Sequence, residues 1–248
     1  MCVLSGALIV ALLVALLAGS VSGLTGFGLA LIAVPLLLFV YEPATVVVLV
    51  FVLSVFINVA VVWDSWHDAD RKLVLALLPP AAVGVFVGAE VLYYADPLYI
   101  RLGVGMIVVF SALLLLREVR IPRAEGWLGT VIAGSTSGML STSTGLAGPP
   151  IVLLFAARHL PKHAFRGSSA LYFLAMSVVG LAALANRGLL DWARLPLALA
   201  LVPAAFLGKV LGTALLNEVS DKTFRVVTLG VVILTGTLGA ATAGWALL

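Results

Sequence analysis

Gly19-Ser20-Val21-Ser22-Gly23-Leu24-Thr25-Gly26-Phe27-Gly28 is a polar, glycine-rich break set between two apolar segments, Val3 to Ala18 and Leu29 to Val40. A second such stretch, Ser141-Thr142-Ser143-Thr144-Gly145-Leu146-Ala147-Gly148-Pro149, separates Trp127–Leu140 from Pro150–Ala157. Glycine and proline at membrane depth leave backbone N–H and C=O groups unpaired. Such groups are tolerated only when buried in protein or lining a wet cavity.

That membrane is inferred from composition. Of 248 residues, 63% are hydrophobic and 10% charged, whereas a soluble domain carries about 25% charged residues. The surplus needs an apolar solvent, and at roughly 20 residues per span the chain has room for about ten helical segments. No soluble domain fits beside them. Cys2 is the only cysteine, which excludes an intramolecular disulfide and a thiolate metal cage. The first twenty residues have no Lys or Arg before the apolar run, so the N-terminus is read as a retained helix, with a cleaved signal as the minor alternative.

Further apolar segments cover Ala44–Trp63, Leu73–Tyr94, Tyr99–Leu116, Gly167–Ala185, Leu195–Leu216 and Phe224–Leu247. Pro79-Pro80 should kink the one they interrupt. A charged linker, residues 117–125, divides a first membrane repeat (1–116) from a second (126–248). The halves resemble each other. Gly19-Ser20-Val21-Ser22-Gly23 matches Gly134-Ser135-Thr136-Ser137-Gly138, and Leu36-Leu37-Leu38-Phe39 matches Val152-Leu153-Leu154-Phe155. Pro79, Gly84, Gly88 and Arg101 then align without gaps on Pro203, Gly208, Gly212 and Arg225. Shared order makes this an internal repeat.

With the N-terminus outside, the inner loops hold Arg71 and Lys72; Arg117, Arg120 and Arg123; Arg158, Lys162 and Arg166; and Lys222 and Arg225. The outer loops hold only Arg101, Arg187 and Arg194. The positive-inside rule favours this orientation. Each half has an odd number of crossings, so the repeat is inverted and the tips of the two broken hairpins can approach near the midplane. The fold class read from these features is all-α, a polytopic membrane helix bundle. Its two inverted repeats each comprise a broken or re-entrant hairpin plus three transmembrane helices.

The breaks read as a substrate site. Half-helix N-termini favour anionic groups, and the breaks add hydroxyls without a fixed carboxylate, the donors an oxyanion needs to bind and leave. The candidate substrate-binding residues are Ser20, Ser22, Gly23, Thr25, Gly26 and Gly28, with Ser137, Gly138, Thr142, Thr144, Gly145 and Gly148. The competing reading is close helix packing by small residues. It is preferred for Gly84/Gly88 and Gly208/Gly212 but does not need breaks of this length. Lys209, alone inside an apolar segment, reads either as an anion contact or as a snorkelling side chain. Asn58 reads as interhelical glue or a cavity donor, and Glu90 as interfacial. His159 and His163 have helical metal-pair spacing but Pro161 between them, so a solvated basic loop including Arg166 is preferred. No metal or cofactor is expected, since no phosphate loop, dinucleotide fingerprint or hydrolytic triad occurs. The chain does not read as an enzyme.

The Gly-x-x-Ser-Gly-x-x-Gly-x-Gly run with Pro35, and Gly-x-x-Ser-Gly with Gly145-x-x-Gly148-Pro149-Pro150, resemble the TauE/SafE family of sulfite exporters and related permeases. The resemblance spans nearly the whole chain. It implies export or uptake of small sulfur-containing or organic anions such as sulfite or sulfonates by a secondary transporter, and export is the preferred reading. The expected setting is the bacterial inner membrane, multi-pass, with both termini periplasmic or extracellular. An anion channel or facilitator is the alternative, as is an accessory membrane subunit. The partners implied are the lipid bilayer and a small anion, with no nucleic acid; homo-oligomerisation stays open.

Overall fold

The computed structural model describes residues 2–116, 126–216 and 230. The 117–125 linker and, apart from Gly230, the tenth apolar segment lie outside the described residues, as do Lys222 and Arg225. Among those described there are only helices: α1 (Cys2–Thr25), α2 (Gly28–Leu37), α3 (Pro43–Ser65), α4 (Arg71–Tyr94), α5 (Pro97–Leu116), α6 (Trp127–Thr144), α7 (Gly148–Ala157), α8 (Lys162–Asn186) and α9 (Leu195–Leu216). A single 3-10 turn, Trp192–Arg194, precedes α9.

Five helical stretches are long and apolar enough to cross a bilayer: Gly6–Thr25, Pro43–Ser65, Arg71–Tyr94, Lys162–Asn186 and Trp192–Leu215. Their outward faces carry Leu13, Leu17, Val83, Phe86, Leu207 and Leu211, a patch that water would penalise and lipid solvates. Exposed Trp63, Trp66 and Trp127 cluster at one end of the bundle, and Tyr93, Tyr94, Tyr99 and Trp192 at the other. These are the aromatic belts of a spanning protein. The chain is a polytopic helical membrane protein.

Helix α2 has 10 residues and α7 has 10, so each is about 15 Å long at 1.5 Å per residue, half the hydrocarbon thickness. The Arg158 guanidinium, just past α7, donates to Thr130 Oγ1 (2.7 Å) in the first turn of α6. The α6–α7 hairpin therefore starts and ends together, as a re-entrant segment does. Helix α4 runs unbroken through Pro79 and Pro80.

Both breaks are much shorter than the sequence suggests. Helix α1 continues to Thr25, leaving Gly26-Phe27 as the interruption, and α6 continues to Thr144, leaving Gly145-Leu146-Ala147. Gly26 and Gly145 share a φ of +80°, a left-handed backbone that costs other L-residues roughly 1–2 kcal/mol. Matching these two glycines sets the true register of the repeat. It lies one helical turn away from the register suggested by the Gly-Ser-x-Ser-Gly match. Gly19 then corresponds to Gly138, and a Cβ on either would overlap a carbonyl oxygen, of Ala205 and of Ala81 respectively. Ala205 and Ala81 are themselves repeat mates on the Pro79/Pro203 alignment.

Those glycines weave the halves together. A Cβ at Gly208 or Gly212 would strike the α1 backbone at Leu16 or Ser20, and one at Gly84 or Gly88 would strike the α6 backbone at Ser135 or Met139. The order of contacts makes α1 parallel to α9 and α6 parallel to α4. Arg166, in α8, bonds to Gly23 at the end of α1, Ser65 at the end of α3 and Thr213 near the end of α9. These three helices therefore finish at the end of the bundle where α4, and with it α6, begins. So α6 runs opposite to α1, its repeat mate.

Candidate functional site

Thr25 is the first residue that shapes the site. Its Oγ1 donates to Val21 O (2.8 Å) and accepts from the N–H groups of Phe27 and Gly28 (3.3 Å each). One hydroxyl thus closes α1 and caps α2. Thr144, its mate, donates to Leu140 O (2.8 Å) and accepts from Leu146 N–H (3.4 Å). An α-helix leaves its first four N–H groups without a helical carbonyl. In α2 those of Leu29 and Ala30 are left after Thr25 has taken two. In α7, Pro149 and Pro150 have no N–H to offer, so the two helix starts are unequal as anion acceptors.

The tips meet. A cavity of about 30 Å³ lies between them, against α3 and α8. Its polar lining is Ser22, Ser54, Asn58, Ser141 and Ser177, and Phe27, Phe51 and Phe173 form part of the apolar wall. In the register set by Gly26 and Gly145, Ser22 matches Ser141, Leu29 matches Gly148, and Asn58 matches Ser177. The cavity is built from equivalent positions of both halves. Ser22, 1% exposed, has no partner for its Oγ. Asn58, 2% exposed, donates from Nδ2 to Ser54 Oγ (2.7 Å) and leaves Oδ1 unpartnered. Turning that amide over would let Ser54 donate to Oδ1 and free the N–H donors for an anion. No charged side chain lines the cavity.

The other predicted residues hold the cavity's frame. Ser20 donates to Leu16 O (2.9 Å) in its own helix, and Ser137 to Ala147 O (2.6 Å), tying down the second break. Thr142 donates to Val85 O (2.6 Å), joining α6 to α4. A Cβ on Gly23 would overlap the Lys209 backbone, and one on Gly28 the Val21 side chain. Gly145 and Gly148 line the cavity; Gly26 does not, its Cα facing the Arg166 carbonyl.

Lys209 neither snorkels nor faces the cavity. Its Nζ is buried and 2.5 Å from Asp64 Oδ2. Arg166 is not in a solvated loop, because α8 begins at Lys162, four residues before it. It is 3% exposed, donates to Gly23 O (2.9 Å), Ser65 Oγ (2.5 Å) and Thr213 Oγ1 (3.0 Å), and lies 3.7 Å from Asp64. Pro161 was the available signal, since proline marks helix starts. Glu90 pairs with Arg187 where α4 and α8 end. The Ser54/Asn58 spacing of four within an apolar run signals one polar helix face, and it leads to the cavity.

An inverted bundle whose two broken helices meet at one polar-lined cavity has the architecture of a membrane transporter. The description "Sulfite exporter TauE/SafE" matches residues 11–238, and the chain belongs to this family. It is 27% identical over 216 residues to the "Probable sulfite/organosulfonate exporter TauE" of Cupriavidus necator, with 84% of each chain covered. No solved structure matches.

Proposed function

We propose that this chain is a secondary transporter of the bacterial inner membrane that exports small oxyanions, such as sulfite and organosulfonates, through the cavity between the two hairpin tips. The observation that carries this reading is the pair of buried, unpartnered side-chain oxygens, Ser22 Oγ and Asn58 Oδ1, on that cavity wall. Leaving such atoms unsatisfied costs about 1–3 kcal/mol each. An oxyanion recovers it by accepting from the Ser22 hydroxyl and, once the Asn58 amide is turned over so that Oδ1 accepts from Ser54, from the Asn58 N–H. The apolar wall suits the carbon end of a sulfonate. The name of the relative supports the substrate class, and the arrangement of Lys and Arg supports termini on the outer side. An inside-negative potential favours anion exit by about 2.3 kcal/mol per charge per 100 mV. Transport would proceed by rocking the inverted halves about the cavity.

The test uses proteoliposomes loaded with sulfite or ethanesulfonate. Wild type should show saturable counterflow, and Ser22→Ala and Ser141→Ala should each slow it. Flux that never saturates would mean a channel. Vesicles that move neither anion would remove the transporter reading, and full activity in both variants would remove the cavity as its site.

A further inference from the structure

Among the described residues, Arg166 and Lys209 are two buried cations that lie outside the cavity, and they share Asp64. Arg166 and Lys209 are both buried, and both converge on a single carboxylate oxygen, Asp64 Oδ2, at 3.7 and 2.5 Å. Asp64 itself is 36% exposed, in the last turn of α3. Among the described residues two buried cations thus share one partly exposed carboxylate; Asp68 is a further acidic neighbour of Arg166, but it stands on the exposed loop. A buried cation without its own counter-ion is costly, and more so in a membrane protein. Arg166 also has hydroxyls around its guanidinium fork, from Ser65 and Thr213. A guanidinium, an ammonium and hydroxyls meeting at one point are what an oxyanion binds.

The cluster adjoins the cavity. Gly23, whose carbonyl accepts from Arg166 Nε, follows Ser22 of the cavity wall. Phe27, also on the wall, stacks edge-on against Phe165, the residue before Arg166, with ring centroids 5.7 Å apart. An anion held by Arg166 is thus separated from the cavity by one aromatic pair and one turn of backbone.

We propose that Arg166 and Lys209 form a second oxyanion site, at the end of the bundle that carries the 64–72 loop, and that Asp64 fills it as an internal stand-in which the transported anion displaces. The partly exposed carboxylate is the member free to swing into water, whereas the two buried cations stay. The site rests on the transporter reading for its ligand class, and on the positive-inside orientation for being the cytoplasmic mouth. The alternative is that the cluster only staples α1, α3, α8 and α9 together.

Thermal unfolding of the detergent-purified full chain at low ionic strength, titrated with sulfite, separates the two. Asp64→Asn should melt below wild type without anion and be rescued by sulfite, with half-effect at a concentration roughly tenfold or more below that for wild type. Lys209→Gln, which leaves one cation to one carboxylate, should lose most of the sulfite response. A staple predicts an Asp64→Asn variant that melts early and gains nothing from sulfite, or responds at the wild-type concentration; either result overturns the proposal. If Asp64→Asn can be recovered as a monodisperse protein only with sulfite present, the site stands, and recovery under neither condition counts against it. Vesicles of wild type that carry no anion would sink the transporter reading yet leave a shifted Asp64→Asn titration intact.

Discussion

Ser20 and Ser22 stand two positions apart in one helix and have opposite fates. Ser20 spends its hydroxyl on Leu16 O, while Ser22 points an unpartnered Oγ at the cavity. Ser22→Ala therefore removes a buried, unsatisfied group and should leave the fold as stable or slightly more so. The same change should cut sulfite transport roughly ten- to a hundredfold, because a hydrogen bond to a charged group contributes about 1.5–3 kcal/mol. Ser20→Ala should leave transport within about twofold of wild type, its hydroxyl bond being local. Melting temperature and initial counterflow rate, measured on the same preparations, check both. A Ser22→Ala protein that loses transport only in step with stability would show a packing role. This division was not legible in the sequence. Both serines occur in a stretch read as broken, and only the helical phase, fixed once α1 is seen to run to Thr25, separates them.

The hairpin is the element on which the sequence was informative about existence and misleading about extent. Hydroxyls and glycines mark where helices break, yet threonine and serine bond back to carbonyls one turn earlier and can stay helical, as Ser135, Ser143 and Thr144 do. The helix therefore continues until a residue must take a left-handed φ, at Gly26 and Gly145. Repetition was legible but its register was not, because a shift of one helical turn keeps the same glycine-bearing face. Gly145→Ala should destabilise the protein by about 1–2 kcal/mol through that φ alone, with a further cost because its Cβ would press on Val34 at 2.8 Å. Gly6→Ala and Gly103→Ala, whose added Cβ would meet nothing within 4 Å, should match or exceed wild type, since alanine favours the helix by about 1 kcal/mol. Thermal unfolding in detergent compares all three. A Gly145→Ala protein as stable as the other two would mean that the tip does not need its left-handed residue.

At the scale of the molecule, each half holds the other's broken helix: α9 packs along α1 and α4 along α6. The swap makes the two halves one cooperative body, so a rocking motion has to pivot at these glycine contacts and open at the ends. The ends carry unequal fastenings. At one, Lys209 of α9 and Arg166 hold Asp64 at the end of α3; at the other, Glu90 of α4 pairs with Arg187 just past α8. Helices α4 and α9 are repeat mates, as are α3 and α8, so both fastenings join the same two elements in opposite halves, with the charges exchanged. The fastening with buried cations, Lys209 and Arg166, should be screened less by water and salt than the Glu90–Arg187 pair, whose two side chains are both exposed. Opening at the Glu90–Arg187 end is therefore the easier excursion from this structure. Glu90→Gln should speed exchange of external sulfite or leave it unchanged, whereas covalently joining the two positions should stop it. With Cys2→Ala as background, Glu90→Cys/Arg187→Cys treated with a short cleavable thiol crosslinker should lose counterflow and regain it on cleavage. Full flux while crosslinked would mean that the anion passes without these helix ends parting, which is channel behaviour rather than alternating access.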